Sequence, residues 1–321
     1  MKDKVRGAIL GTAIGDALGM PAEGKSPDTI RKIYGRINSY RNPKSANGKP
    51  FHHNLSAGMW TDDTQLMVAI GQTLARKKRI DYDDIAQNHI IAFKSRRGWG
   101  KATINSIQRM VSGVHWSEAG EPGAAGNGVA MKIAPIGVLF GLKKINNFEM
   151  INVVTNIGRM THGDTRAIIA AIGQCHLIAS AIQYGEVGLR FELYNLHYII
   201  KDLERSFGYS GVPLSDVLER ALVMSENKES NSSIRDEIGA GPFVLESFPF
   251  TCALVHRHLS IEECMETIIN LGGDADTTGA MAGSMLGAAY GYSKFPFKWR
   301  KGLEDRTKLL RMSDSILKMS R

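Results

Sequence analysis

The chain has 321 residues, of which 43 % are hydrophobic and 22 % charged, and a formal net charge of +8. That is enough for one large core, and with no Pro/Ser-rich linker, charge run or low-complexity segment a single domain over residues 1–321 is expected. From the N-terminal pattern no signal peptide or membrane span is expected, and three cysteines without metal-type spacing (Cys175, Cys252, Cys264) fit the expectation of a reducing, cytoplasmic setting. The positive charge suits an anionic substrate such as a nucleotide, while the scatter of the basic residues argues against a nucleic-acid interface.

Helical periodicity dominates, with candidate helices at 3–19, 62–78, 82–95, 101–112, 128–141, 147–159, 162–184, 190–206, 214–226, 240–258, 260–270, 275–291 and 300–318. Start signals recur: Asp81 before Tyr82, Ser215-Asp216, and Ser260 with Glu263 three residues on. Alternating β-branched runs are absent, leaving at most a short strand near Ile37 to Tyr40. The stretch from Gly24 to Met59, with Pro27, Pro43 and Pro50, reads as a long functional loop. The pattern predicts an all-α fold.

Two helices carry a glycine at every fourth position: Gly7, Gly11, Gly15 and Gly19, then Gly279, Gly283, Gly287 and Gly291. Each helical glycine costs about 0.5–1 kcal/mol against alanine. Eight of them need a compensating role, and close backbone approach is the obvious one. Asp16, Asp274 and Asp276 argue against a bilayer, so these helices are expected at the centre of the domain, packed tightly on neighbours or on each other.

Two acidic clusters lie far apart in sequence: Thr61-Asp62-Asp63-Thr64 and Asp274-Ala275-Asp276-Thr277. Both precede predicted helices, where Asp and Thr are also favoured as simple caps. Doubled carboxylates with adjacent hydroxyls point further, because close carboxylates repel unless a cation lies between them. An all-oxygen donor set without Cys or His suits Mg²⁺, Mn²⁺ or Ca²⁺.

With Gly11-Thr12-Ala13-Ile14-Gly15-Asp16-Ala17-Leu18-Gly19-Met20-Pro21-Ala22-Glu23, Trp60-Thr61-Asp62-Asp63-Thr64-Gln65, Gly126-Asn127-Gly128-Val129-Ala130-Met131, Thr161-His162 and Gly272-Gly273-Asp274-Ala275-Asp276-Thr277 in this order, the chain resembles the ADP-ribosylglycohydrolase family. The resemblance implies a compact orthogonal multi-helix bundle with a central dinuclear metal site. It implies two divalent cations, Mg²⁺ or Mn²⁺, held by Thr61, Asp62, Asp63, Asp274, Asp276 and Thr277. It implies hydrolysis of a glycosidic bond between ADP-ribose and an acceptor, with Glu23, Asp63 and Asp276 as the catalytic candidates.

By the same resemblance Gly126, Asn127, Gly128 and His162 would bind substrate. Trp99 and Trp116 are equally suited to stacking on adenine or to packing. The segment Arg97-Gly98-Trp99-Gly100-Lys101-Ala102-Thr103 lacks an Asp that some arginine-specific members carry. The expected partner is an ADP-ribosylated protein or small ADP-ribose conjugate, with arginine the first acceptor and serine open, and the expected state is a monomer. A two-metal nucleotide phosphoesterase and a non-catalytic, crystallin-like ADP-ribose binder are the alternatives.

Overall fold

The computed structural model describes residues 1–45, 47–49, 54–144, 147–257 and 260–320. Among these, sixteen α-helices follow one another: α1 (Lys2–Gly19), α2 (Pro27–Tyr34), α3 (Asp62–Lys77), α4 (Tyr82–Phe93), α5 (Lys101–Val111), α6 (Ala134–Lys143), α7 (Asn147–Arg159) and α8 (Thr165–Tyr184). Then come α9 (Glu186–Ser206), α10 (Leu214–Glu226), α11 (Asn231–Ile238), α12 (Val244–Arg257), α13 (Ile261–Leu271), α14 (Ala275–Tyr290), α15 (Phe297–Gly302) and α16 (Arg306–Leu317). The described residues form no sheet, only three isolated bridges, so the all-α expectation holds.

The glycine repeats pair with each other. A methyl group at Gly7 would fall on the carbonyl oxygen of Gly287, one at Gly11 on that of Gly283, one at Gly15 on that of Gly279, and one at Gly19 on that of Ala275. The ascending and descending numbers make α1 and α14 antiparallel, backbone against backbone. Gly291 does not belong to this row. Its φ of 95° ends α14, and a side chain there would meet Asp3. Helix α1 is buried on every face from Gly7 to Gly19. The pair is walled by α3, α6 and α16 on the α1 side and by α8, α12 and α13 on the α14 side.

Differences from the sequence reading have local causes. Pro135 in the first turn starts α6 at Ala134 rather than 128, leaving 128–133 as turns. Asp164 accepts from the Arg166 amide and starts α8 at Thr165. Glu186 opens α9 four residues earlier than expected, and α12 begins at Val244 rather than 240. Helix α10 starts at Leu214, so Ser215 is inside it and hydrogen-bonds Glu204 rather than capping. Asp305, at φ 50°, splits the expected 300–318 helix into α15 and α16. The 24–59 stretch contains α2, capped by Ser26, and no strand at Ile37–Tyr40; Pro50, like the end of the 240–258 helix at residue 258, lies outside the described residues. Helix α11 was not expected from the sequence.

Helix α8 is long and apolar enough to cross a membrane by length and composition, but most of it is buried inside the fold against α6, α7, α9 and α14. The three cysteines are buried free thiols.

Alanine has the better helix propensity, yet Gly11→Ala places a methyl group on a backbone carbonyl that cannot rotate away. Overpacking of this kind costs about 1–3 kcal/mol or more, against a propensity gain of about 1 kcal/mol. Gly11→Ala is therefore expected to lower the urea midpoint sharply. Gly100→Ala, where an added methyl group meets open space, is expected to leave it within error. Equal midpoints would contradict the packing.

Candidate active site

The antiparallel pairing puts the N-terminus of α14 beside the C-terminus of α1. Asp274 occupies the N-cap position of α14 without a side-chain cap bond, and Asp276 lies in the first turn, next to Gly19. Just beyond Gly19, Glu23 ends a short 3-10 turn (Met20–Ala22). Two hydrogen bonds weld these segments together, from the Gly24 amide to the Gly273 carbonyl (2.8 Å) and from the Gly273 amide to the Lys25 carbonyl (2.9 Å). Gly272 and Gly273 both have positive φ, and a side chain on either would strike a backbone carbonyl, of Lys25 or of Ala240. The Gly-Gly pair is thus a requirement of the turn that presents Asp274 and Asp276.

The second cluster is fixed by Asp16, one turn inside α1. Its fully buried carboxylate accepts from the Thr61 amide (2.9 Å) and hydroxyl (2.8 Å) and from the Thr64 amide (3.0 Å) and hydroxyl (2.6 Å). A side chain from another helix thereby caps α3, and Thr61 itself makes no side-chain cap bond. Asp62 and Asp63 follow in the first turn. Asp16, Asp63 and Asp276 bring carboxylate oxygens within 4.8 Å of one another, enough to hold a metal ion. Asp16 is the site residue missing from the sequence reading. A lone carboxylate on a glycine-lined, otherwise apolar helix was the available signal.

The two acidic clusters expected to converge do so. Burial pushes Asp62, Asp63 and Asp276 well above the usual carboxylate range, with their acidic neighbours adding to it. Burial also raises Asp274, and raises Asp16 to about 6 despite its four donors. Burial and then Asp274 push Glu23 to about 7, against the pull of Lys25. Two helix N-termini face these groups and favour anions, without bringing them back to ordinary values. One oxygen of Asp63, Oδ1, is buried with no hydrogen-bond partner in the structure. An unsatisfied anionic oxygen inside an all-oxygen cluster fits a hard divalent cation.

Beside the cluster lies the glycine loop. Asn127 donates its amide to Asp274 (2.6 Å) and to the Ser247 hydroxyl (3.1 Å), so it braces a carboxylate instead of pointing into free space. Its backbone amide donates to the Pro242 carbonyl (3.1 Å), and the Val244 amide to Ala125 (2.9 Å). The 239–243 segment therefore forms a wall of the site, of which the sequence reading placed 240–243 inside a helix. His162 packs under the loop, and a methyl group at Gly128 would run into its ring. Burial, with Lys132 nearby, holds His162 down at about 3, hence neutral.

Lys132 is fully buried and donates to the Thr161 hydroxyl (2.8 Å), which lies 2.9 Å from His162 Nδ1. With its oxygen accepting from Lys132, the Thr161 proton is available to Nδ1, leaving the His162 proton on Nε2, toward Gly126. Burial lowers Lys132 to about 7, and the charge of Asp62 opposes that shift.

The opposite rim is the 95–99 segment. Gln65 holds it by donating to the Ser95 carbonyl and accepting from the Arg97 amide and Trp99 Nε1. Gly98 sits against Asp62 and Thr61. Trp99 is buried by these contacts and serves packing. Trp116 binds Asp83 through its indole N–H (2.7 Å) and packs on Tyr82, with no contact to the acidic cluster among the described residues.

A sequence model described as ADP-ribosylglycohydrolase matches residues 1–321. The chain is 26 % identical to ADP-ribosylhydrolase ARH3 of Gallus gallus, over 98 % of this chain and 92 % of that one. It is 26 % identical to the ADP-ribosyl-[dinitrogen reductase] glycohydrolase of Rhodospirillum rubrum, over 99 % and 97 %. A solved structure titled ADP-ribosylglycohydrolase-related protein complex superposes with a TM-score of 0.76 at 25 % identity, over 100 % of this chain and 99 % of that one.

The raised carboxyls set a pH dependence. Each titrates higher folded than in the unfolded chain, where aspartate sits near about 3.9. The folded state then binds more protons, and stability falls as pH rises through the folded values. In chelator, the melting temperature is expected to drop between about pH 5 and 8, spanning the values of Asp16 and Glu23, and millimolar Mg²⁺ is expected to flatten the drop. A melting temperature that rises over this range in chelator would contradict the electrostatics.

Proposed function

The chain belongs to the ADP-ribosylglycohydrolase family and is a glycosidic-bond hydrolase, and we propose that it uses two divalent cations, Mg²⁺ or Mn²⁺, to release ADP-ribose from a protein or small conjugate. The observation that carries the reading is the cluster of four buried aspartates (Asp16, Asp62, Asp63 and Asp276) and half-buried Asp274, with Glu23 beside it, assembled from α1, α3 and the start of α14. The ligand set is Thr61, Asp62, Asp63, Asp274, Asp276 and Thr277, with Asp16 holding Thr61 and Thr64 in place. Bound cations supply Lewis acidity toward the ribose hydroxyls and a water of lowered pKa.

The chain's own groups do the rest. Glu23, with a carboxyl pushed up to about 7 by burial and Asp274, is suited to accept a proton at neutral pH. It takes one from the water whose oxygen bonds to the anomeric carbon and passes it to the departing acceptor atom as the bond between that atom and the anomeric carbon breaks. Asp63 and Asp276 are the other carboxylates close enough to share this work. The loop of Gly126, Asn127 and Gly128, floored by neutral His162, receives the pyrophosphate of ADP-ribose through the Gly126 and Gly128 amides, the Asn127 amide being held by Pro242.

An arginine-linked conjugate is the first candidate and a serine-linked one the second. The relatives' names include an enzyme acting on ADP-ribosyl-dinitrogen reductase. Arginine-linked and serine-linked ADP-ribosyl peptides, incubated with Mg²⁺, Mn²⁺ or chelator and read by mass spectrometry, test the proposal. The expected product is intact ADP-ribose, formed only with metal and lost on Asp63→Asn or Asp276→Asn while helicity persists. Release of AMP would instead indicate a phosphoesterase. Tight ADP-ribose binding without turnover of either peptide would indicate a binding protein.

A further inference from the structure

Lys132 is fully buried in the turns that carry the glycine loop into α6. A buried ammonium is costly unless it is paired and hydrogen-bonded. Among the described residues its hydrogen bond goes to a neutral group, the Thr161 hydroxyl (2.8 Å), while Asp62 acts on it through space. That hydroxyl is held in place. The Thr161 carbonyl accepts from the Glu121 amide (3.2 Å) and the Ser106 hydroxyl (2.8 Å), and the Thr161 amide donates to the Gly158 carbonyl (3.0 Å). Beyond it lies His162 Nδ1, at 2.9 Å. The far edge of the His162 ring comes up under the loop. A methyl group built on Gly128 would lie 2.9 Å from Nε2, and one on Gly126 3.5 Å from it. His162 is 3 % exposed, and among the described residues Nε2 makes no hydrogen bond.

We propose that Lys132 is a positioning residue of the pyrophosphate site: through the Thr161 hydroxyl it holds His162 as an Nε2–H donor, and it sets a positive charge behind the loop. The inference rests on the reading of Gly126, Asn127 and Gly128 as that site. An ammonium has three donors and no acceptor, so the Thr161 oxygen accepts from it and the Thr161 proton turns to Nδ1. The ring proton is then on Nε2, on the edge next to Gly126 and Gly128, where a phosphate oxygen can accept it. Hydrogen bonds in such a chain polarise one another, so the lysine charge strengthens the donor at its far end. A second buried imidazole shows how the partner sets the tautomer. His89 Nδ1 stands 2.8 Å from the Ile85 carbonyl, which can only accept, so His89 carries its proton on Nδ1. The charge itself matters too, because the loop stands beside Asp274, to which Asn127 donates. A dianion arriving there meets carboxylates, and Lys132 offsets them. With Nε2 bonded to a phosphate oxygen, the ammonium is about 9 Å from that oxygen. At an effective dielectric of about 20, one charge pair at such a distance is a factor of about twenty in affinity.

The test uses the full chain with nitrogen-15-labelled histidine. Long-range proton–nitrogen spectra are taken at pH 6, below the value of about 7 to which burial lowers Lys132. They are expected to show His162 protonated at Nε2 and His89 at Nδ1. Calorimetric titration with ADP-ribose in Mg²⁺ is expected to show Lys132→Met binding at least about tenfold more weakly than wild type. In turnover of a conjugate, KM rises and kcat changes little, because the lost interaction is made equally in ground and transition states. Thr161→Val keeps the lysine and cuts the chain, and it is expected to weaken binding as well; Thr161→Ser is expected to restore it. The threonine pair carries the test if Lys132→Met does not fold. A His162 proton on Nδ1, or wild-type affinity in Lys132→Met or Thr161→Val, overturns the proposal. A wild-type chain that binds no ADP-ribose would remove the proposed function and this inference with it, whereas wild-type binding with unchanged variants removes the inference alone.

Discussion

The structure depends on the contact between the backbones of α1 and α14. Glycines on both helices let the two main chains meet with no side chain between them, and the pairing runs from Gly7 against Gly287 to Gly19 against Ala275. An antiparallel pair of this length fixes where each helix ends relative to the other. Asp274 and Asp276 therefore stand beside the end of α1, and Asp16 stands one turn within it. The glycines give up roughly 0.5–1 kcal/mol each in helix stability. What they obtain is a rigid separation between carboxylates that arrive from sequence positions more than two hundred residues apart.

Such an arrangement is electrostatically unfavourable by itself. Burial raises each carboxyl, and each neighbour raises the next. The structure relieves this only partly. Four donors from Thr61 and Thr64 converge on Asp16, Asn127 braces Asp274, and Lys132 lies near Asp62. Asp63 keeps an oxygen with no donor. Repulsion that the protein leaves uncompensated is available to a cation, whose binding then links to both stability and proton uptake. The same burial lifts Glu23 into the range where it can both take and give a proton near neutrality. Stability is thus given up at the place where chemistry requires charge.

Much of this was legible in the sequence because it is carried by short-range patterns. The glycine period announced close helix contact, and the Asp-Asp and Asp-Ala-Asp clusters announced a site. Asp16 escaped because its role is long-range. Its partners are Thr61 and Thr64, and no local pattern says that a carboxylate on one helix caps another. The wall at 239–243 escaped for a similar reason. Gly239-Ala240-Gly241-Pro242-Phe243 abuts an apolar periodic run, and only its backbone bonds to Asn127 and Asp274 reveal it as part of the site. Helix α2 was hidden by the prolines around it, although Pro27 right after the cap Ser26 is where a helix tolerates proline. Trp99 could not be assigned from sequence, since its burial is decided by Gln65, thirty-four positions away.

The central claim is that the α1–α14 pairing builds a cation site out of two distant acidic clusters. Anomalous diffraction from crystals grown with Mn²⁺ tests it most directly. The account predicts two peaks, lying between the Asp62–Asp63 and Asp274–Asp276 carboxylates, both abolished by Asp63→Asn. Crystals saturated with Mn²⁺ that show no peak among these aspartates would contradict it.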